Sequence, residues 1–203
     1  METMTSEAYR AMIAAEDAAR GKGSAVRREA GRKARAVGQS FQDLLNRYHA
    51  SLLDAGDLLF VEETKPPMRA AKVAGKLYYV LLPGGGPCDY LFYLANGRAG
   101  SFDAKSTDKV KTMSWPEKRL HQLATLRRLH ESSEGKVAAF ALVEWRRFGE
   151  VRLHPIWTIP GVLVHRETGF VVPQVLASSM AASIVGPAWH MVVNRVWSQE
   201  GVL

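Results

Sequence analysis

Apolar side chains recur along this chain with two different periods, and the switches between them divide it into elements. From Gly38 to Ala55 they return every three or four residues, at Phe41, Leu44, Leu45, Tyr48 and Leu52, which predicts an amphipathic helix. Asp57 to Thr64 reads as a strand, stopped by Lys65-Pro66-Pro67 because proline lacks an amide donor. Leu77 to Leu82 is another strand, ended by Pro83 and three glycines. Those glycines form a flexible turn or a close backbone approach; the Gly-Lys-Ser/Thr of a phosphate-binding P-loop is missing. Asp89 to Leu94 and Arg98 to Lys105 are strands rich in aromatic and apolar residues, with the hairpin signal Asn96-Gly97 between them. Ser106 to Trp115 is polar and basic. Pro116 suits the first turn of a helix to about His130, with Leu120, Leu123, Leu126 and Leu129 as its stripe. Val137 to Glu144 is continuously apolar, as in a central strand covered on both faces, and Val151 to Thr158 is the next strand. Helix, several strands, helix, strand predicts an α/β domain with a mixed sheet.

The two ends depart from this pattern. Ser6 to Ala19 has helical character, but Arg20 to Arg35 carries seven Lys/Arg against one acid, Glu29, and Gly21 and Gly23 interrupt it. Residues 1–37 are therefore expected to be a basic arm, partly disordered, either binding phosphates or merely solvated. The last 35 residues are apolar, but Pro173, Gln174 and Pro187 interrupt any span of the ~20 apolar residues a membrane needs. Residues 161–203 are expected to be a helical extension on the core or at a subunit interface, leaving 38–160 as the core.

Net charge is +7 and the pI about 9.7, which favours a polyanionic partner such as nucleic acid. The single cysteine, Cys88, permits no internal disulfide, suits a reducing compartment, and reads as a small buried filler. No Cys/His cluster has zinc spacing, and the amino terminus lacks the apolar core of a signal peptide.

Candidate chemistry lies in the hairpin. Two carboxylates on neighbouring strands, Asp89 and Asp103, can hold a divalent metal, and Lys105 shares a strand face with Asp103 because side chains alternate. Loop length decides whether the acids meet. A two-residue loop pairs Asp89 with Ala104 and turns the acids apart. A three-residue loop, with Gly97 left-handed, pairs Leu94 with Arg98 and sets Asp89 across from Asp103. This second register is expected, because it gathers Tyr90, Phe92, Leu94 and Phe102 on one apolar face. Like charges directly opposite are destabilising, so the pair calls for a cation. The alternative is that Asp89 ends a turn and Asp103 and Lys105 line a solvated edge.

Gly38-x-x-Phe41 with Leu45-Asn46, Lys65-x-Pro67, Asp89-Tyr90, Phe102-Asp103-Ala104-Lys105-Ser106-Thr107, His121-Gln122 and Phe140-Ala141-Leu142-Val143 form an ordered series. Over residues 38–160 this series resembles the RecU family of Holliday junction resolvases, in the PD-(D/E)XK nuclease superfamily. The resemblance implies a restriction-endonuclease-like α/β core with a mixed central sheet flanked by helices. It implies a homodimer that uses Mg2+, with Mn2+ as a substitute, and nicks four-way DNA junctions symmetrically. By the same resemblance Asp89 and Asp103 are metal ligands, Lys105 is the catalytic lysine, and Gln122 orients water or backbone. Gln42 stands where the family typically has glutamate, and the segment from Lys65 to Asp89 is shorter than the family's stalk. Arg27, Arg28, Arg32, Lys33, Arg35, Lys65, Lys109 and Lys111 are the candidate DNA contacts. The expected setting is the cytoplasm of a bacterial or phage-infected cell, at the nucleoid and not at a membrane. Alternatives are an endonuclease for other branched or duplex DNA, a non-catalytic DNA-binding protein, and, on charge alone, an RNA-binding or scaffold protein.

Overall fold

A computed structural model describes residues 29, 36, 38–64, 68–73, 76–81, 88–178 and 183–199. The chain divides into two compact units, residues 1–40 and residues 41–203. In the first, residues 29, 36 and 38–40 are helical. The second opens with helix α1, residues 41–55, so the helix expected up to Ala55 is present.

Among the described residues, twelve strands and two further α-helices follow. The strands are β1 Leu58–Glu63, β2 Met68–Val73, β3 Lys76–Leu81, β4 Tyr90–Leu94, β5 Ala99–Thr107, β6 Thr112–Ser114, β7 Ala138–Trp145, β8 Glu150–Pro155, β9 Leu163–His165, β10 Phe170–Val172, β11 Gln174–Ser178 and β12 Ser183–Pro187. Helix α2 is Leu120–Ser132, entered through a one-turn 3-10 helix at Glu117–Arg119, and α3 is Trp189–Gln199. Six strands form one sheet in the order β1-β4-β5-β7-β8-β10. Only the β5–β7 pair is parallel; its neighbours are antiparallel, so the sheet is mixed as expected. The crossover between β5 and β7 carries α2, the usual way to return a chain for parallel pairing.

Side-chain alternation sorts the sheet into two apolar layers. On one face Tyr90, Phe92, Leu94, Phe102, Phe140 and Leu142 pack with Phe41, Leu45, Tyr48 and Leu52 of α1 and with Trp189, Val193 and Trp197 of α3. Phe102 stacks between Tyr90 at 4.8 Å and Phe140 at 5.0 Å, contacts that add about 0.5–1.5 kcal/mol each to their burial. Cover on the opposite face comes from Leu123 and Leu126 of α2 together with Met113, Trp115, Ile156, Ile159 and Val164, over Ala139, Ala141, Val143 and Trp145 of β7. Strand β7 is thus buried on both sides, as its unbroken apolar run predicts. On β5, between β4 and β7, Gly100 faces Phe92: a β-carbon there would lie 2.2 Å from the ring and 2.5 Å from the Ala138 carbonyl oxygen.

The carboxy-terminal expectation needs correcting. The described part of 161–203 is not a helical extension: β9 to β12 occupy much of 163–187, β10 belongs to the main sheet, and among the described residues the one α-helix there is Trp189–Gln199. The β-branched pairs at 171–172 and 184–185 favour strands, and Pro173 and Pro187 fall at strand borders where no ladder bond is lost. Helix α3 itself packs on the core. The β2–β3 hairpin was half anticipated: β3 matches the expected strand, whereas Met68–Val73 has no alternation that announces β2. No helix among the described residues is long and apolar enough to cross a membrane.

Candidate functional site

The hairpin closes as the three-residue loop requires. Leu94 N donates to Arg98 O at 2.9 Å, Gly97 N donates to Leu94 O at 2.9 Å, and Gly97 has φ +83°. That φ suits glycine, which lacks the β-carbon that crowds the left-handed region. Tyr90 pairs with Phe102, so one further step sets Asp89 across from Asp103. Both acids and Lys105 then project to the α2 side, away from the aromatic layer.

Each group has defined neighbours. Asp89 Oδ2 accepts the backbone N–H of Ala104 at 3.0 Å, and Asp89 Oδ1 accepts Nε2 of Gln122 at 3.2 Å. Gln122 reaches it because it lies on the inward face of α2, one residue before buried Leu123. Lys105 Nζ is hydrogen-bonded to Asp103 Oδ2 and lies 3.6 Å from Asp89 Oδ2. Asp103 is 0% exposed, and its other oxygen, Oδ1, has no hydrogen-bond partner among the described residues. Neither does Gln122 Oε1. Burial raises the Asp103 pKa; Lys105 opposes the shift and the Asp89 charge adds to it. Behind Asp89, Ser101 Oγ lies 2.7 Å from Cys88 Sγ and 3.1 Å from Tyr90 O, and the Cys88 thiol is buried, with its pKa pushed up by that burial. Cys88 is the packed filler expected beside the site.

The donor set fits a hard divalent cation in part. Such ions take oxygen ligands, and the two carboxylates lie together here with one carboxylate oxygen, Asp103 Oδ1, and the amide oxygen of the neighbouring Gln122 unpartnered among the described residues. No group of three or more His, Cys, Asp and Glu able to hold a metal occurs among the described residues. Helix α1, which carries Gln42, packs through Phe41, Leu45, Tyr48 and Leu52 on the aromatic face of the sheet, opposite the face of the acids.

Comparison with family models and with curated proteins gives no match. Among solved structures, the Holliday junction resolvase Hjc of the archaeal hyperthermophile Archaeoglobus fulgidus overlays with a TM-score of 0.37 at 14% identity, over 66% of this chain and 90% of that one. That overlay is loose and carries no residue role over to Asp89, Asp103, Lys105 or Gln122.

Of the candidate DNA contacts, Lys109 and Lys111 are exposed on the segment after β5. Its backbone is pinned: Lys109 N donates to Thr107 Oγ1 at 3.1 Å, and Lys111 O accepts from Arg166 N at 2.8 Å. Arg27, Arg28, Arg32, Lys33, Arg35 and Lys65 lie outside the described residues. One neighbour was not singled out from sequence. The ring of Trp115 lies 5.0 Å from Lys105 Nζ. Nothing local signals this contact, because it joins β5 to the approach to α2 across the fold.

Proposed function

We propose that this protein is a metal-dependent DNA endonuclease that resolves four-way junctions by paired nicks. The observation that supports it is the convergence of Asp89, Asp103 and Lys105, with a buried carboxylate oxygen left unpartnered. Asp89 and Asp103 would hold Mg2+, with Mn2+ as a substitute. When bound, the ion supplies an acidified water and charge neutralisation at the phosphate. Ala104 N–H and Gln122 fix the Asp89 carboxylate, so its orientation is set before any ligand arrives. Lys105 brings a positive charge to where the phosphate gains negative charge in the transition state, and it can orient the attacking water. Exposed Lys109 and Lys111, with the basic arm, supply sequence-independent phosphate contacts. Two copies in a symmetric dimer would present two such sites to a symmetric junction.

The test is incubation of the purified protein with labelled four-way junction and linear duplex, with and without Mg2+. Metal-dependent paired nicking of the junction is expected. Nicking of duplex at equal rate would move the reading to a less selective endonuclease. Binding without any nicking would make it a DNA-binding protein.

A further inference from the structure

Lys105 is the resident cation of the carboxylate pair. Its ammonium bonds Asp103 Oδ2 and lies 3.6 Å from Asp89 Oδ2, so it already sits against both acids that would hold a divalent ion. Its hydrogen bond to Ala104 O is weak, at 3.4 Å. A dication at the acids would repel the ammonium and take its acceptors. The lysine stem is flexible, so something else must keep the charge beside the reacting phosphate. One group is placed to do so. Trp115 presents its ring 5.0 Å from Nζ, within the distance at which the face of an indole, the best aromatic partner for a cation, attracts it.

The ring is fixed without help from the lysine. Trp115 Nε1 donates to Arg119 O at 3.0 Å, Trp115 N donates to Val162 O at 2.7 Å, and the side chain is buried in the layer with Leu123, Val143 and Val164. It is therefore a rigid wall and not a side chain that follows its partner.

We propose that Trp115 is the positioning residue of Lys105, its indole face holding the ammonium at the site when a divalent cation takes over Asp103. This rests on the metal-dependent reading above. Trp115 is buried, so its loss should act on the lysine and not on DNA affinity.

Two variants separate this from plain packing. Trp115→Phe keeps a π-face, and Trp115→Leu keeps only apolar bulk. The Leu variant should lose about tenfold or more in kcat with KM for the junction unchanged, and the Phe variant should recover most of it. Equal losses in both would mark a packing role and overturn the proposal. A second readout needs no turnover and no stable Leu variant. In protein labelled with 5-fluorotryptophan, the Trp115 fluorine signal, assigned by its loss in Trp115→Phe, should shift in Lys105→Met. It should also shift in the wild type on adding Ca2+, and Ca2+ should move it much less in Lys105→Met. A signal indifferent to the lysine overturns the proposal even if Ca2+ binds and the junction is nicked. If the wild type binds no divalent cation, the metal-dependent reading falls and takes this one with it.

Discussion

Asp103 occupies the most constrained position in the site: it is fully buried, one oxygen is bonded by Lys105, and the other is unpartnered. On the proposed function, removing its charge would remove an anchor of the metal, while affinity for DNA would come from exposed cations elsewhere. Asp103→Asn and Lys105→Ala are each expected to lower the nicking rate by at least about 100-fold, as loss of a preorganised charge does, with junction binding within a few-fold of wild type. Full cleavage by either purified variant would remove that residue from the mechanism. The same logic gives a readout without DNA. If the pair holds Mg2+, the ion should raise the melting temperature of the wild type, since the proposed site exists only in the folded chain, and should barely move that of a variant carrying both Asp89→Asn and Asp103→Asn. Equal shifts would place the metal elsewhere.

At the scale of the element, the β4–β5 hairpin decides whether those residues meet, and Gly97 decides the hairpin. With φ +83°, Gly97→Val should cost about 1–3 kcal/mol through backbone strain, read as a lower denaturation midpoint with unchanged slope. A Val variant as stable as wild type would show that the turn can rearrange freely. This hairpin was legible in the sequence because its two faces sort cleanly: one register collects Tyr90, Phe92, Leu94 and Phe102, the other mixes them with acids. Strand β7 was legible for a similar reason, its run being too apolar for any exposed place. The carboxy-terminal strands were not. The segment 170–187 is apolar without a clean period, and whether it pairs or coils is settled by partners such as Leu153 opposite Phe170. Likewise Trp115 carries no sign of Lys105, ten positions earlier in the sequence; the crossover brings the two together.

For the whole molecule, acid sensitivity follows from two buried imidazoles. His49 accepts Trp189 Nε1 at 3.1 Å where α1 meets α3, and burial pushes its pKa down to about 3, with His190 adding to the shift. His154, bonded by Trp145 Nε1 at 3.4 Å, is likewise pushed down to about 3 by burial, with Arg152 contributing. Both stay neutral in the folded chain, whereas the unfolded chain takes up their protons below about pH 6.5. Their contribution is therefore complete above that pH and is lost as pH falls toward 3, by about 1.4 kcal/mol per pH unit for each histidine while it is neutral folded and charged unfolded. His49→Gln keeps an acceptor for Trp189 and removes one titrating group. Melting temperatures at pH 7 and pH 4.5 should differ less for this variant than for the wild type; an identical difference would mean that His49 does not drive acid unfolding.

The crowding at Gly100 has a consequence for genetics. A random screen for inactive alleles would recover it beside Asp103, although a glycine has no side chain to take part in the site. The two classes fail at different stages: Asp103→Asn should accumulate as normal soluble protein, whereas Gly100→Ala, driven against Phe92 and the Ala138 carbonyl, should be scarce or insoluble. Sorting null alleles by soluble yield would thus separate the chemistry of this chain from its scaffold, and abundant, folded Gly100→Ala protein would show that the sheet can part to admit a methyl group.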